Sequence, residues 1–243
     1  MSFALRLTED RLAAGARLTL PPAPRVIYVR NGATRIEHRP PTVQADLAAL
    51  ATTDATRIEH RPPTVQADLA AAATAWHGTG AAVLLADAPA EVLRFELVRG
   101  ADAAEPDADI NQSRRLLEHA IELDPTRAWL MRCDRVEFAP GGVALPHGHK
   151  GGGIRCLLAG TLEVTVGDAP PRLMRPGDAW FESGRDPVLA KASAEMPTAF
   201  ARVSILPAEI RGQSSIVYVD PADAARGRPR HYTVYVDEPL ALI

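Results

Sequence analysis

Lysine and cysteine are almost missing from this chain, with only Lys150, Lys191, Cys133 and Cys156 present. Two cysteines cannot make the disulfide framework of a small secreted protein, and the leading residues MSFALRLTED lack the basic-then-apolar order of a secretory leader. A reduced, cytoplasmic protein is therefore expected. Charge of one sign is not in excess either. Against 27 Lys and Arg stand 30 Asp and Glu, a formal net charge of −3, which excludes the broad basic face that nucleic-acid binding requires. No apolar run approaches the roughly 18 residues of a membrane helix. Aromatic residues make up only 5%, but hydrophobic residues make up 47% of the 243 positions, enough for a packed core and too many for a disordered chain.

What the chain has is internal repetition. ATRIEHRPPTVQADLAA occurs at 33–49 and again, letter for letter, at 55–71. Two copies do not make a solenoid, and their identity at surface and core positions alike is that of a tandem duplication. One copy is expected to be an insertion in a surface loop, because Pro40-Pro41 and Pro62-Pro63 forbid a continuous helix or central strand.

A second, fainter repeat relates the two halves. RVIYVRNGATRI (25–36) resembles GIRCLLAGTLEV (153–164), and ATAWHGTGAAVLLA (73–86) resembles GDAWFESGRDPVLA (177–190). Both halves read as short runs of Val, Ile, Leu, Phe and Tyr with a period near two, broken by Gly, Pro and Asp, which is the pattern of antiparallel sandwiches and barrels. Between them, Leu116, Leu117, Ala120 and Ile121 recur at helical spacing before Pro125, which predicts a linker helix. The expected division is an N-terminal unit at 1–100, a helical linker at 101–128 and a C-terminal unit at 129–243.

Chemistry concentrates in PGGVALPHGHKGGGIRCLLAG (140–160). In a strand, residues two apart point to one side, so His147 and His149 can offer two imidazoles to one metal ion. Arg155, on the following strand, is a candidate for clamping a substrate carboxylate or for closing an internal salt bridge with Glu182. Glu182 is also the candidate third metal ligand, since two histidines and one carboxylate suit Fe(II), or zinc with an activated water. The same residue type is ordinary at an exposed strand end. Trp180 reads as barrel wall or as a substrate platform. Cys156, one residue from Arg155, should lie on the opposite side of that strand. The arginines of PADAARGRPR (221–230) read as solvated loop residues.

Gly141, His147, His149 and Gly160 match the spacing of the first motif of the cupin superfamily, and RPGDAWFESGRDPV (175–188) is similar to its second. The glutamate ligand of the first motif is replaced by Gly153, or by Ile154 on the alternative count, and the third histidine would fall near Pro187. The N-terminal half places Pro22 and Pro24 opposite the two histidines. The resemblance implies two jelly-roll barrels, an all-β bicupin whose first barrel is degenerate. It also implies a divalent metal (iron, zinc or manganese, or nickel) on His147 and His149, with Glu182, the candidate read from the residues, or water completing the shell. A small carboxylate-bearing ligand would meet Arg155, Trp180 and Glu182, and the chemistry would be oxygen insertion, isomerisation or hydrolysis. A homodimer is the further implication. The alternatives are a barrel that binds or senses a small molecule without metal, and a structural or oligomerisation module.

Overall fold

The computed structural model describes residues 2–38, 65–69, 74–99, 111–226, 230–240 and 242, and these fold into strands and two short 3₁₀ turns. The N-terminal strands are β1 (Ser2–Leu12), β2 (Ala16–Leu20), β3 (Arg25–Asn31), β4 (Thr34–His38), β5 (Val65–Leu69), β6 (Thr74–Gly78), β7 (Ala82–Ala86), β8 (Ala90–Val98) and β9 (Asn111–Glu122). They form two sheets, ordered β6-β3-β8-β1-β9 and β2-β7-β4-β5. The C-terminal strands are β10 (Trp129–Phe138), β11 (Val143–His149), β12 (Gly153–Ala159), β13 (Leu162–Val166), β14 (Arg172–Met174), β15 (Ala179–Glu182), β16 (Val188–Ala192), β17 (Thr198–Pro207), β18 (Ile216–Tyr218) and β19 (Arg230–Leu240). Their sheets run β15-β12-β17-β10-β19 and β14-β13-β16-β11-β18.

The five-stranded sheets β6-β3-β8-β1-β9 and β15-β12-β17-β10-β19 are the same sheet built twice, strand for strand. This is the half-to-half repeat of the sequence made physical, and the all-β, two-jelly-roll architecture follows from it.

The predicted linker helix does not form. Residues 111–122 are β9, antiparallel to β1 over its whole length, in the place that β19 occupies beside β10. The helical spacing of the leucines came from a β-bulge. Leu7 pairs with Leu117 and Thr8 with Arg115, so Leu116 is an extra residue that breaks the alternation expected of a strand. Residues 101–110 of the predicted linker lie outside the described residues, as do both proline pairs of the duplicated segment. Its described ends, β4 and β5, pair antiparallel with His38 opposite Val65.

Each barrel has its own apolar interior. Ile27, Val29, Ile36 and Leu84 fill the first, and Leu157, Leu162, Val164, Trp180 and Phe200 the second. A third core lies between the barrels, where the two matching sheets meet face to face through Leu5, Leu7, Tyr28, Met131, Cys133, Ile154 and Cys156. Alternation along β12 decides the assignment. Ile154 and Cys156 point to the seam, while Arg155 and Leu157 point into the barrel. Burial pushes the Cys156 thiol up to about 12 and the Cys133 thiol well above its usual range, so neither is a nucleophile.

Candidate functional site

The interior of the second barrel collects the residues singled out in the sequence. β11 presents His147 and His149 on one side, both buried, with ring centroids 4.9 Å apart and planes nearly perpendicular. The turn after them returns as β12, which carries Arg155, and β15 lies beside it with Trp180 and Glu182. All five line one enclosed space of only about 20 Å³, room for a single water.

Glu182 is the hub. It is buried, not exposed at the strand end. Its Oε1 accepts from Trp180 Nε1 at 2.8 Å, which makes Trp180 a positioning group as well as wall. Its Oε2 lies 2.6 Å from Arg155 Nη2, a contact of opposite charges without the alignment of a good hydrogen bond. Arg155 Nη1 donates to Gly153 O at 2.6 Å. Burial by itself would raise the Glu182 carboxyl, but Arg155 and His149 hold it well below the usual carboxylate range. Burial brings Arg155 down to about 10, against the pull of Glu182. Of the two roles open to Arg155, the geometry is that of the internal salt bridge.

The histidines are neutral. Burial, aided by Arg230, pushes His147 down to about 4. Burial pushes His149 down to about 3, with Arg202 and Arg155 adding to the effect and Glu182 opposing it. Their tautomers follow from their neighbours. Leu145 O can only accept, so the contact at 2.7 Å puts the His147 proton on Nδ1 and leaves its Nε2 lone pair open. For His149 the acceptor is Glu182 Oε2, 3.3 Å from Nε2. The proton of His149 is therefore on Nε2, and its Nδ1 faces Ser215 Oγ at 3.4 Å.

This donor set does not fit the divalent metal that the resemblance implies. One imidazole lone pair is open, the other ring presents N–H toward the carboxylate, and that carboxylate is already neutralised by a guanidinium at ion-pair distance. Among the described residues no three His, Cys, Asp or Glu side chains are grouped to hold a metal ion. Nor does the fold leave room for the glutamate of the first motif: a Cβ at Gly153 would lie 2.4 Å from Val203 O and 2.6 Å from Ser204 Oγ.

Two arginines that the sequence reading did not place at the site, Arg202 and Arg230, complete the interior. Arg202 is opposite Arg155 in the β12–β17 ladder and is held by Asp134 at 2.6 and 2.9 Å, a pair that keeps its guanidinium charged despite full burial. Arg230, expected to be solvated, instead lines the barrel mouth beside His147. Its guanidinium lies over the Tyr232 ring at 5.6 Å and reaches Tyr218 Oη at 3.5 Å, and its Nε is buried without a partner. No sequence signal joined Arg230 to the histidines, because the contact is made across about 80 residues of chain.

The first barrel is plugged in the same manner. Arg25 donates to Glu96 at 2.9 Å, and Arg94 bridges Glu96 to Asp10. Arg25 and Arg155 are the two largest fully buried side chains among the described residues, one in each barrel.

No family model and no curated protein matches the chain. Solved structures do. The chain is similar to AerE from Microcystis aeruginosa (12% identity, TM-score 0.55, covering 83% of this chain and 88% of that one). It is similar to the oxalate decarboxylase of Lactobacillus farciminis, solved as a formate complex (13% identity, TM-score 0.58, covering 90% and 81%). It is also similar to procruciferin, an 11S globulin of Brassica napus (8% identity, TM-score 0.55, covering 82% and 76%). An enzyme and a globulin thus share one architecture, and identity at this level speaks for the fold alone. With paired jelly rolls and the first-motif spacing at Gly141, His147, His149 and Gly160, the chain has the two-barrel cupin fold.

Proposed function

We propose that this chain is a metal-independent cupin that binds a small anion, such as a carboxylate, at the mouth of its second barrel and does not turn it over. The observation that carries the reading is the unpaired guanidinium of Arg230. Three arginines line the interior, Arg155, Arg202 and Arg230, against two carboxylates, Glu182 and Asp134, and the two histidines are neutral. The space therefore holds one positive charge more than it neutralises, with a buried N–H of Arg230 still to be satisfied. A carboxylate supplies both needs.

Catalysis finds no support. The histidines are pushed far below neutrality and Glu182 is kept ionised, so none of the three is poised to exchange a proton near pH 7. With room inside for a single water only, the anion would sit at the mouth against Arg230 and not in the interior, and formate in the L. farciminis oxalate decarboxylase is a neighbour's ligand of that class.

The test is calorimetric titration with formate, acetate and oxalate, with elemental analysis of protein purified without a nickel column. Saturable binding that is lost in Arg230→Gln, in protein free of stoichiometric metal, is the expected result. Stoichiometric iron, zinc or manganese that disappears in a His147→Ala, His149→Ala variant would overturn the metal-independent reading. No binding of any of the three anions would overturn the binding reading.

A further inference from the structure

Between the barrels, where β9 of the first approaches the β11–β12 turn and β15 of the second, an open cleft of about 430 Å³ remains. Its size is that of a site for a small metabolite. The ring of His119 on β9 stacks on Phe181 of β15, with centroids 3.6 Å apart and planes within 9°, closing one wall from both barrels. Trp129 forms part of the lining, its indole N–H donating to Asp124 O at 2.9 Å.

The charges around this cleft are unbalanced. Lys150 and Arg185 both line it, and neither makes an ion pair among the described residues. Arg127 is engaged by Glu209 at 2.7 Å, and Glu122 has a partner of its own. The turn that carries Lys150 continues as Gly151-Gly152, which line the same space, and neither glycine amide donates a backbone hydrogen bond among the described residues. Two cations without an ion pair, beside two glycine amides without a backbone acceptor among the described residues and at the edge of an aromatic wall, are the chemistry of a dianion site.

We infer that this cleft binds a phosphate-bearing small molecule of about nucleotide size, with the phosphate on Lys150, Arg185 and the glycine amides. None of these cations belongs to the barrel mouth, so the two sites stand or fall separately.

The experiment is titration of the full chain with AMP, adenosine and inorganic phosphate. AMP should bind, and adenosine at least tenfold more weakly. A Lys150→Met, Arg185→Gln variant should lose tenfold or more in AMP affinity at an unchanged melting temperature, since neither side chain has an ion-pair partner to lose among the described residues. Lys191→Met, which removes the other lysine, and Arg230→Gln should both bind AMP as the wild type does. Equal affinity for AMP and adenosine, undiminished AMP binding in the double variant, loss of AMP binding in Arg230→Gln, or no saturable binding of either AMP or phosphate would each overturn the assignment.

Discussion

Arg155 and Arg202 lie directly opposite one another across the β12–β17 ladder, and each is neutralised by a different carboxylate, Glu182 for the first and Asp134 for the second. Two guanidiniums side by side in an apolar barrel persist only because both are paired, since an isolated buried charge costs several kcal/mol. The axis of the barrel is thus a structural ion-pair stack where the resemblance led one to expect a metal.

Breaking one pair should therefore be worse than removing it. Arg155→Met strands the Glu182 carboxylate and is expected to cost about 3–5 kcal/mol in urea denaturation. Adding Glu182→Gln to that variant should restore part of the loss. Strictly additive losses in the double variant would mean that the two side chains do not interact.

Stability should fall on the acid side. The folded values of His147 and His149, about 4 and about 3, lie below the ordinary 6.5 of the unfolded chain. Between those limits the unfolded state takes up protons that the fold refuses, so stability is complete above pH 6.5 and declines as pH drops, by about 1.4 kcal/mol per unit for each histidine. Glu182, held low in the fold, adds a loss of the same sign below its unfolded value of about 4.3. Melting temperatures from pH 7.5 to 4.5 should drop steeply in the wild type and less steeply in His149→Gln. Parallel curves would show that the histidine is charged in the fold.

Restoring the missing glutamate of the first motif should fail. Gly153→Glu places a Cβ against Val203 O and Ser204 Oγ, and the variant should lose about 1–3 kcal/mol without gaining metal on elemental analysis. A stable variant that purifies with stoichiometric metal would show that the strand can move aside.

Deletion of residues 39–60 leaves Arg-Pro-Pro-Thr between His38 and Val65, a four-residue hairpin loop of ordinary length. The melting temperature should stay within a few degrees of the wild type. A collapse of the melting transition would show that the second copy is part of the core.

The sequence made the strands legible wherever alternation was unbroken. The two-fold pattern of the halves, the shared side of His147 and His149, and the outward turn of Cys156 all follow from a period of two. It misled at β9, where one bulged residue, Leu116, gave four apolar positions the spacing of a helix. A bulge of the same kind separates Cys133 from Asp134 opposite β19, leaving Tyr235 as the extra residue there. The site was half legible. Arg155 and Glu182 are one of two options for each other because both lie in the motif-bearing strands, whereas Arg230 enters the same space from about 80 residues away and the Asp134–Arg202 pair spans 68 residues of chain. Residue spacing carries no record of such long-range charge balance.

The pairing of β4 with β5 has one more consequence. β4 is matched to the word VQADL, and the chain contains that word twice, at 43–47 and at 65–69. Side chains cannot distinguish the copies, so what separates them is the length of chain to be closed, four residues for the near copy and 26 for the far one, a difference of about 1.7 kcal/mol in loop entropy. The near copy has the cheaper closure, while the copy paired with β4 among the described residues is the far one, β5. Between two molecules the same words are interchangeable: a pair of β4 strands meets four equivalent mates, which is the condition for exchanging a strand from one molecule to the other.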